Sequence, residues 1–148
     1  MRKKTIRSTD IVNAALSWNG TPYHHQAAVK GVGVDCAYFI GSVAEECKFI
    51  DKFYVAPYSV EWHIHNEGEK MLEIVEGFGC KKIAKPRAGD ILAFQYGRSC
   101  SHLGIMLRNN TFIHASLKHK RVIIEELRDD YLERHKFTYT FPGVRHDY

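Results

Sequence analysis

One cysteine and two histidines carry the chemistry that this sequence could perform. Cys36 follows a glycine-containing segment, residues 31–33, and begins a stretch in which apolar residues recur at helical spacing. A thiol at the first residue of a helix lies near unpaired backbone N–H groups and the positive end of the helix dipole, which favour the thiolate. A cysteine nucleophile also needs a base and a group that orients that base. His102 and His114 are the candidates for these two roles.

The two histidines can act together only if the turn between their strands has an odd number of residues. The segments 101–107 and 111–116 are rich in strand-forming residues and flank a pair of asparagines. A two-residue loop would put His102 and His114 on opposite faces, because alternate strand residues point to opposite sides. A three-residue loop, Arg108 to Asn110, puts them on one face, and asparagine tolerates the left-handed conformation that it needs. We therefore predict a loop of odd length.

Apolar periodicity predicts helices in the first half of the chain. Ser8-Thr-Asp10 offers capping side chains for a first helix that runs to about Asn19 and ends at Gly20. A long loop then leads to the helix at Cys36, and a more polar helix covers about Val60 to Glu76. The predicted inward residues are Ile11, Ala14, Ala15 and Trp18, then Phe39, Ile40, Val43, Ala44 and Cys47, then Met71, Leu72 and Val75.

Strand patterns dominate from Pro86 onward. The predicted strands are Asp90 to Tyr96, Ser101 to Leu107, Thr111 to Ser116, Arg121 to Glu125 and Phe137 to Phe141, with a short helical turn at Tyr131 to Arg134. Helices that precede antiparallel strands indicate the α+β class. A chain of 148 residues with 45% hydrophobic residues fits one domain, residues 1–148.

Composition argues against several other classes of protein. The net charge of +4 comes from scattered basic residues, which favours a solvated surface over a nucleic-acid site. No apolar run of about 18 residues predicts a membrane span. The segment Met1 to Thr5 lacks the apolar stretch of a signal peptide, so we expect a protein made in the cytoplasm without one. The four cysteines are expected to be reduced.

Four short motifs give the chain a family resemblance. Val34-Asp35-Cys36, Gly89-Asp90-Ile-Leu, Ser101-His102-Leu-Gly-Ile and Phe112-Ile-His114-Ala resemble those of the NlpC/P60 cysteine peptidases, over residues 10 to 143. The resemblance implies a papain-like fold in which N-terminal helices pack on a C-terminal antiparallel sheet. It also implies a cell-wall hydrolase that cuts peptidoglycan stem peptides, commonly next to D-glutamate.

The segment at residues 20–33 resembles the phage and gene-transfer-agent members more narrowly. Those members are small proteins made without a signal peptide. This part of the resemblance implies phage-tail proteins as further partners and association with a virion. An intracellular role in recycling wall fragments would account equally well for the missing signal peptide.

The resemblance also implies a role for each residue of the site. Cys36 would be the nucleophile, His102 the general base and His114 the group that orients the base. Tyr23 would help to stabilise the oxyanion together with the backbone N–H at the helix start. Asp35 would fix the loop before the nucleophile. The resemblance implies no metal and no organic cofactor.

Two positions depart from the family pattern and keep other functions open. Ala37 and Tyr38 stand where the common motif has serine and glycine. A structural or wall-binding module of a phage tail, built on a retired peptidase, is one alternative. A cysteine-dependent amidase or acyltransferase that acts on another substrate is a second.

A zinc site is disfavoured, because the cysteines and histidines lack paired ligand spacing.

Overall fold

A computed structural model describes residues 5–55 and 69–148 of the chain. Its helices are α1 (Ser8–Leu16), α2 (Cys36–Glu46), α3 (Lys70–Gly77) and α4 (Asp129–Arg134). Its strands are β1 (Ala28–Val29), β2 (Gly33–Val34), β3 (Lys81–Ile83), β4 (Ile91–Tyr96), β5 (Ser99–Met106), β6 (Thr111–Ser116), β7 (Arg121–Glu126) and β8 (His135–Thr140). No helix among the described residues is both long and apolar enough to cross a bilayer.

Helix α2 is the central helix of the hydrophobic core. Its N-cap is Asp35, whose carboxylate accepts hydrogen bonds from the backbone N–H groups of Tyr38 at 3.0 Å and Gln26 at 2.7 Å. These two bonds join the preceding loop to the helix start, as predicted for Asp35. The predicted inward face is confirmed, since Phe39, Ile40, Val43, Ala44 and Cys47 are all buried.

Helix α1 begins and ends differently from the prediction. Its N-cap is Arg7, whose backbone N–H donates to the carboxylate of Asp10 at 2.9 Å. The Ser8 hydroxyl, predicted as a cap, donates instead to Asp147 near the other end of the chain, at 2.7 Å. The helix stops at Leu16 rather than at Asn19, and turns lead to Gly20.

Only part of the third predicted helix lies in the described chain. Helix α3 carries the predicted inward residues Met71, Leu72 and Val75, and all three are buried. The portion predicted for residues 60–68 lies outside the described residues. The chain leaves α3 through Gly79, whose φ of +87° belongs to the left-handed region that favours glycine.

A six-stranded antiparallel sheet forms the second layer, in the order β3-β8-β4-β5-β6-β7. Helices α1, α2 and α3 all contact β5, and the sheet face beneath them supplies Ile91, Ala93, Leu103, Ile105 and Ile113 to the main core. The alternate residues Leu92, Phe94, Met106 and Phe112 form a smaller core on the opposite face. Tyr131 of α4 packs on that smaller core. The α+β prediction is confirmed.

Three short strands are absent from the sequence prediction. Strands β1 and β2 form a two-stranded ribbon within the segment predicted as a long loop, and β3 pairs with β8 at the sheet edge. Two or three residues are too few to show an alternating pattern. The ribbon needs Gly33, because a Cβ there would lie 2.8 Å from the Cβ of His24.

Candidate active site

The turn between β5 and β6 has the odd length that the sequence predicts. The Leu107 N–H donates to the Thr111 carbonyl at 2.8 Å, which closes a three-residue loop, Arg108 to Asn110. Asn109 and Asn110 adopt φ values of 57° and 56°, in the left-handed region. Within the ladder, Ile105 faces Ile113 and Met106 faces Phe112. The prediction of an odd loop is confirmed.

This register brings His102 and His114 into direct contact on one face of the sheet. The Nε2 atom of His102 lies 2.6 Å from the Nδ1 atom of His114. The two rings meet edge to face, with centroids 4.9 Å apart and planes at 76°. His114 is buried and His102 is half-buried.

Cys36 contacts strand β5 at the residue that follows His102. Strands β5 and β6 pair only at Ile105–Ile113 and Met106–Phe112, and α2 contacts both strands. Beyond the paired positions, the backbone of Leu103 forms a hydrogen bond with the Cys36 side chain. The sulfur therefore lies against the backbone of the residue that directly follows His102.

The protonation state predicted for Cys36 is wrong. Burial raises the pKa of the Cys36 thiol well above its ordinary value, and the Asp35 carboxylate raises it further. Backbone N–H groups of Leu103, Ala37 and Cys36 lower this pKa by less. The helix start acts in the predicted direction, but desolvation and a neighbouring negative charge outweigh it. The raised pKa therefore favours the thiol over the thiolate in the free protein.

His102 has the protonation state that a base needs. Burial, and then the charge that His114 would carry, hold the pKa of His102 well below its ordinary value. The His102 imidazole is therefore neutral at physiological pH. A neutral imidazole has one ring nitrogen with a free lone pair, which can accept a proton.

Glu125 is part of this cluster, although the sequence predicts it only as the last residue of a strand. Its Oε2 atom lies 2.5 Å from the Nε2 atom of His114, and it accepts a hydrogen bond from the Tyr131 hydroxyl at 2.7 Å. The Nε2 atom of His119 lies 3.3 Å from the other carboxylate oxygen. Glu125 pairs with Phe112 across β6 and β7, so it is the diagonal neighbour of His114. An acidic residue on the following strand is the signal that would have suggested it.

Tyr23 lies on the loop side of the site. Its backbone N–H donates to the Lys120 carbonyl at 2.9 Å, and it forms a bridge with Val34 just before the cysteine helix. Burial raises the pKa of the Tyr23 hydroxyl well above its ordinary value, and the negative charges that Cys36 and Asp35 can carry raise it further. The hydroxyl is therefore protonated and able to donate a hydrogen bond near the sulfur.

Tyr96 is a second aromatic residue of the site that the sequence predicts only as part of a strand. Its ring meets His102 edge to face at 6.2 Å, and the guanidinium of Arg134 lies 4.2 Å above the same ring. Burial raises the pKa of Tyr96, and the negative charges that Asp130, Glu125 and, least of all, Cys36 can carry raise it further. Tyr96 therefore forms a wall of the site beside the histidine.

The two positions that depart from the family pattern are accommodated on α2. Ala37 is fully buried. The Tyr38 ring packs on Phe53 with centroids 5.5 Å apart, and its hydroxyl reaches the Val55 carbonyl at 3.4 Å. The large ring therefore packs on the segment that follows α2. No three His, Cys, Asp or Glu side chains converge as a metal-binding group within residues 5–55 and 69–148.

The fold and the site define an α+β domain in which the side chain of a cysteine at a helix start contacts the strand that carries one of two hydrogen-bonded histidines. The sequence profile of the NlpC/P60 family matches residues 20–140. The chain therefore belongs to the NlpC/P60 family. No curated protein matches the chain.

Solved structures share this fold at low sequence identity. The NlpC/P60 domain of the peptidoglycan hydrolase SagA is 19% identical with a TM-score of 0.59, and the match covers 91% of this chain and 99% of that domain. An NlpC/P60 family protein from Bacillus cereus is 19% identical with a TM-score of 0.64, covering 93% of this chain and 41% of that protein. The peptidoglycan hydrolase RipB from Mycobacterium tuberculosis is 16% identical with a TM-score of 0.57, and the match covers 90% of this chain and 63% of that protein. The chain thus spans nearly all of one relative but less than half of another.

Proposed function

We propose that this protein is a peptidoglycan hydrolase, a thiol endopeptidase that cleaves an amide bond of the stem peptide next to D-glutamate. The observation that carries the proposal is the 2.6 Å contact between the Nε2 atom of His102 and the Nδ1 atom of His114, on a strand whose next residue, Leu103, forms a backbone hydrogen bond with the Cys36 side chain. Cys36 is the nucleophile, His102 is the general base and His114 orients the base. SagA and RipB, which share the fold, are peptidoglycan hydrolases.

Acylation begins with a neutral thiol and a neutral imidazole. His102 accepts the proton of Cys36 as the sulfur attacks the stem-peptide carbonyl carbon and forms a carbon–sulfur bond. The carbonyl π electrons move to the oxygen and generate an oxyanion. When the oxyanion collapses, the carbon–nitrogen bond breaks and the His102 imidazolium gives its proton to the departing amine. The product is an S-acyl enzyme with a neutral His102.

Deacylation reverses these proton movements with water as the nucleophile. His102 accepts a proton from water, and the hydroxide oxygen attacks the thioester carbonyl. The carbon–sulfur bond then breaks, and His102 returns the proton to the sulfur. The cycle releases a carboxylic acid and restores the thiol, so it needs no metal and no organic cofactor.

Two donors near Cys36 support stabilisation of the oxyanion. The first is backbone N–H at the start of α2, and the second is the Tyr23 hydroxyl, whose raised pKa keeps it protonated. Such donors stabilise the transition state because they point to the position where negative charge develops. Tyr23 therefore acts on the reaction rate more than on substrate binding.

The test is digestion of purified peptidoglycan, followed by mass spectrometry of the soluble muropeptides. Cys36→Ala should abolish digestion and leave the thermal midpoint close to that of the wild type. Cys47→Ala, which changes another buried cysteine at the end of the same helix, is the matched control and should digest normally. Digestion that survives Cys36→Ala, or that only a chelator stops, would contradict the proposal.

Tyr38 favours one alternative, a structural or wall-binding module without activity. Incubation with purified peptidoglycan separates the two functions, because release of cleaved stem peptides by the wild type but not by Cys36→Ala indicates an enzyme. A wild type that sediments with peptidoglycan and cleaves nothing indicates the module. Products other than cleaved stem peptides would indicate an amidase or acyltransferase on another substrate. The phage or gene-transfer-agent subtype, and with it a phage-tail partner, stays a prediction from residues 20–33.

A further inference from the structure

We infer that Glu125 is a positioning residue of this site: acting through His114, it selects the tautomer of His102 whose Nδ1 atom is free to accept the Cys36 proton. The inference rests on the proposed function for its role in catalysis. The tautomer assignment itself follows from the contacts among Glu125, His114 and His102.

The Glu125 carboxylate is held as an anion. Burial raises the pKa of Glu125, but hydrogen bonds from Tyr131 and His114 and the positive charges that His114 and His119 can carry together lower it by more, so the net shift is downward. An ionised carboxylate only accepts hydrogen bonds. Tyr131 and His119 contact its two oxygens from α4 and from the β6–β7 turn, which holds the carboxylate in place.

The carboxylate fixes the proton on His114. Because Glu125 only accepts, the 2.5 Å contact requires that the Nε2 atom of His114 carries the hydrogen. Burial holds the pKa of His114 below its ordinary value despite the hydrogen bond to Glu125, so the ring is neutral at physiological pH. A neutral imidazole with hydrogen on Nε2 has an acceptor lone pair on Nδ1.

The tautomer of His114 then fixes that of His102. Since the Nδ1 atom of His114 accepts, the 2.6 Å contact requires that the Nε2 atom of His102 donates. His102 is neutral, so its Nδ1 atom keeps the lone pair that a general base needs.

Without Glu125, the contact between the two histidines has no preferred direction. His114 could then donate from Nδ1, and His102 would accept at Nε2 and carry its hydrogen on Nδ1. That tautomer of His102 has no lone pair left for the thiol proton. The carboxylate also stabilises the positive charge that reaches the histidine pair when His102 takes the proton.

The chain offers a matched pair of substitutions on β7. Glu125→Gln preserves the size of the side chain but removes its charge, and the amide can present either an oxygen or an NH2 group to His114. Glu126→Gln is the control, because Glu126 is the next residue, is exposed and pairs with Arg128. Glu125→Asp keeps the carboxylate and serves as the conservative variant.

Nitrogen-15 NMR of the histidine rings is the direct test. At neutral pH the wild type, Glu126→Gln and Glu125→Asp should show His102 and His114 protonated at Nε2 only. Glu125→Gln should show a mixture of tautomers. His102 protonated at Nδ1 in the wild type, or unchanged tautomers in Glu125→Gln, would overturn the inference. If Glu125→Gln does not fold, Tyr131→Phe replaces it, because this variant removes one hydrogen bond to the carboxylate. The nitrogen-15 signals of the His102 and His114 rings should then shift towards the same mixture of tautomers. Unchanged signals would contradict the inference.

Kinetics on a soluble stem-peptide fragment is the second readout. Glu125→Gln should lower kcat by at least about 10-fold with little change in KM, because a catalytic histidine in the wrong tautomer costs up to about 10⁴-fold in kcat. Glu126→Gln should match the wild type. A wild type that cleaves no stem peptide would contradict the proposed function, whereas the NMR result would still decide the tautomers.

Discussion

Gly104 and His114 face each other so closely that a Cβ at Gly104 would lie 3.3 Å from the Cβ of His114. The same Cβ would lie 3.1 Å from the Phe112 ring and 3.2 Å from the Ile113 carbonyl. The absence of a side chain at Gly104 therefore lets β5 and β6 approach at the point where the two histidines meet.

Gly104→Ala should therefore damage both stability and the histidine contact. The added methyl group must displace Phe112 or the β6 backbone, at a cost of about 1–3 kcal/mol in the free energy of unfolding. Because His114 shifts with β6, kcat should fall as well. Urea unfolding and kinetics on a stem-peptide fragment measure the two effects. Gly77→Ala is the control, because a Cβ at Gly77 would meet nothing within 4 Å. It should change neither the free energy of unfolding by this mechanism nor kcat.

The histidine pair could be predicted because it depends on two local rules. Alternation along a strand has a fixed period, and asparagine tolerates the left-handed conformation of an odd loop. Together these rules put His102 and His114 on one face before any packing is known. The buried stripe of α2 follows in the same way from helical periodicity.

Glu125 and the protonation of Cys36 could not be predicted in that way. The contact between Glu125 and His114 depends on the register across a second turn, residues 117–120, where the sequence has no comparable marker of loop length. The raised pKa of Cys36 depends on how deeply the sulfur is buried and on the distance to Asp35. Both quantities are set by tertiary packing, whereas the sequence shows only that the cysteine begins a helix.

The acid limb of the pH–rate profile should lie below pH 6.5, the ordinary value for histidine. Burial lowers the pKa of His102, so this imidazole stays unprotonated at pH values at which an exposed histidine is half protonated. The pH dependence of kcat/KM for the wild type tests this expectation, since it reports the pKa values of groups in the free enzyme. An acid limb centred well above pH 6.5 would contradict the assignment of His102 as the base.

Folding stability should fall as the pH drops below about 6.5. His102 and His114 both have lowered pKa values in the folded protein, so the unfolded chain binds more protons in this range. The contribution of the two neutral histidines to folding stability is fully present at pH values above their pKa in the unfolded chain. It decreases as the pH falls towards their lower pKa values in the folded protein. Urea unfolding should show a larger loss between about pH 7.5 and pH 5 for the wild type than for His102→Asn. Equal losses in the two proteins would contradict burial of a neutral His102.

Tyr23→Phe should lower kcat and leave KM nearly unchanged. The substitution removes a hydroxyl that is protonated and close to Cys36, and loss of one oxyanion donor costs about 100- to 1000-fold in kcat. Tyr54→Phe, at a tyrosine that is 81% exposed, is the control. Steady-state kinetics on a stem-peptide fragment separates the two parameters. An effect confined to KM would assign Tyr23 to substrate binding instead.

Asp35→Asn should make the Cys36 thiol more reactive while it makes the fold less stable. The Asp35 charge contributes to the raised pKa of Cys36, so its removal should move the pH midpoint of alkylation by iodoacetamide downward. The carboxylate also accepts hydrogen bonds from the backbone N–H groups of Gln26 and Tyr38 through its two oxygens. An asparagine has one acceptor oxygen, so one of these two half-buried N–H groups loses its partner, at a cost of about 1 kcal/mol.

Alkylation of Cys36 as a function of pH, measured together with urea unfolding, tests both halves of this expectation. Asp10→Asn is the control, because it changes the cap of α1 and leaves the Cys36 loop intact. Its alkylation midpoint should equal that of the wild type. If Asp35→Asn loses stability but keeps the wild-type midpoint, Asp35 acts only as a helix cap, and burial alone holds Cys36 as a thiol. If the midpoint falls, the Asp35 carboxylate helps to keep the Cys36 thiol protonated in the free protein.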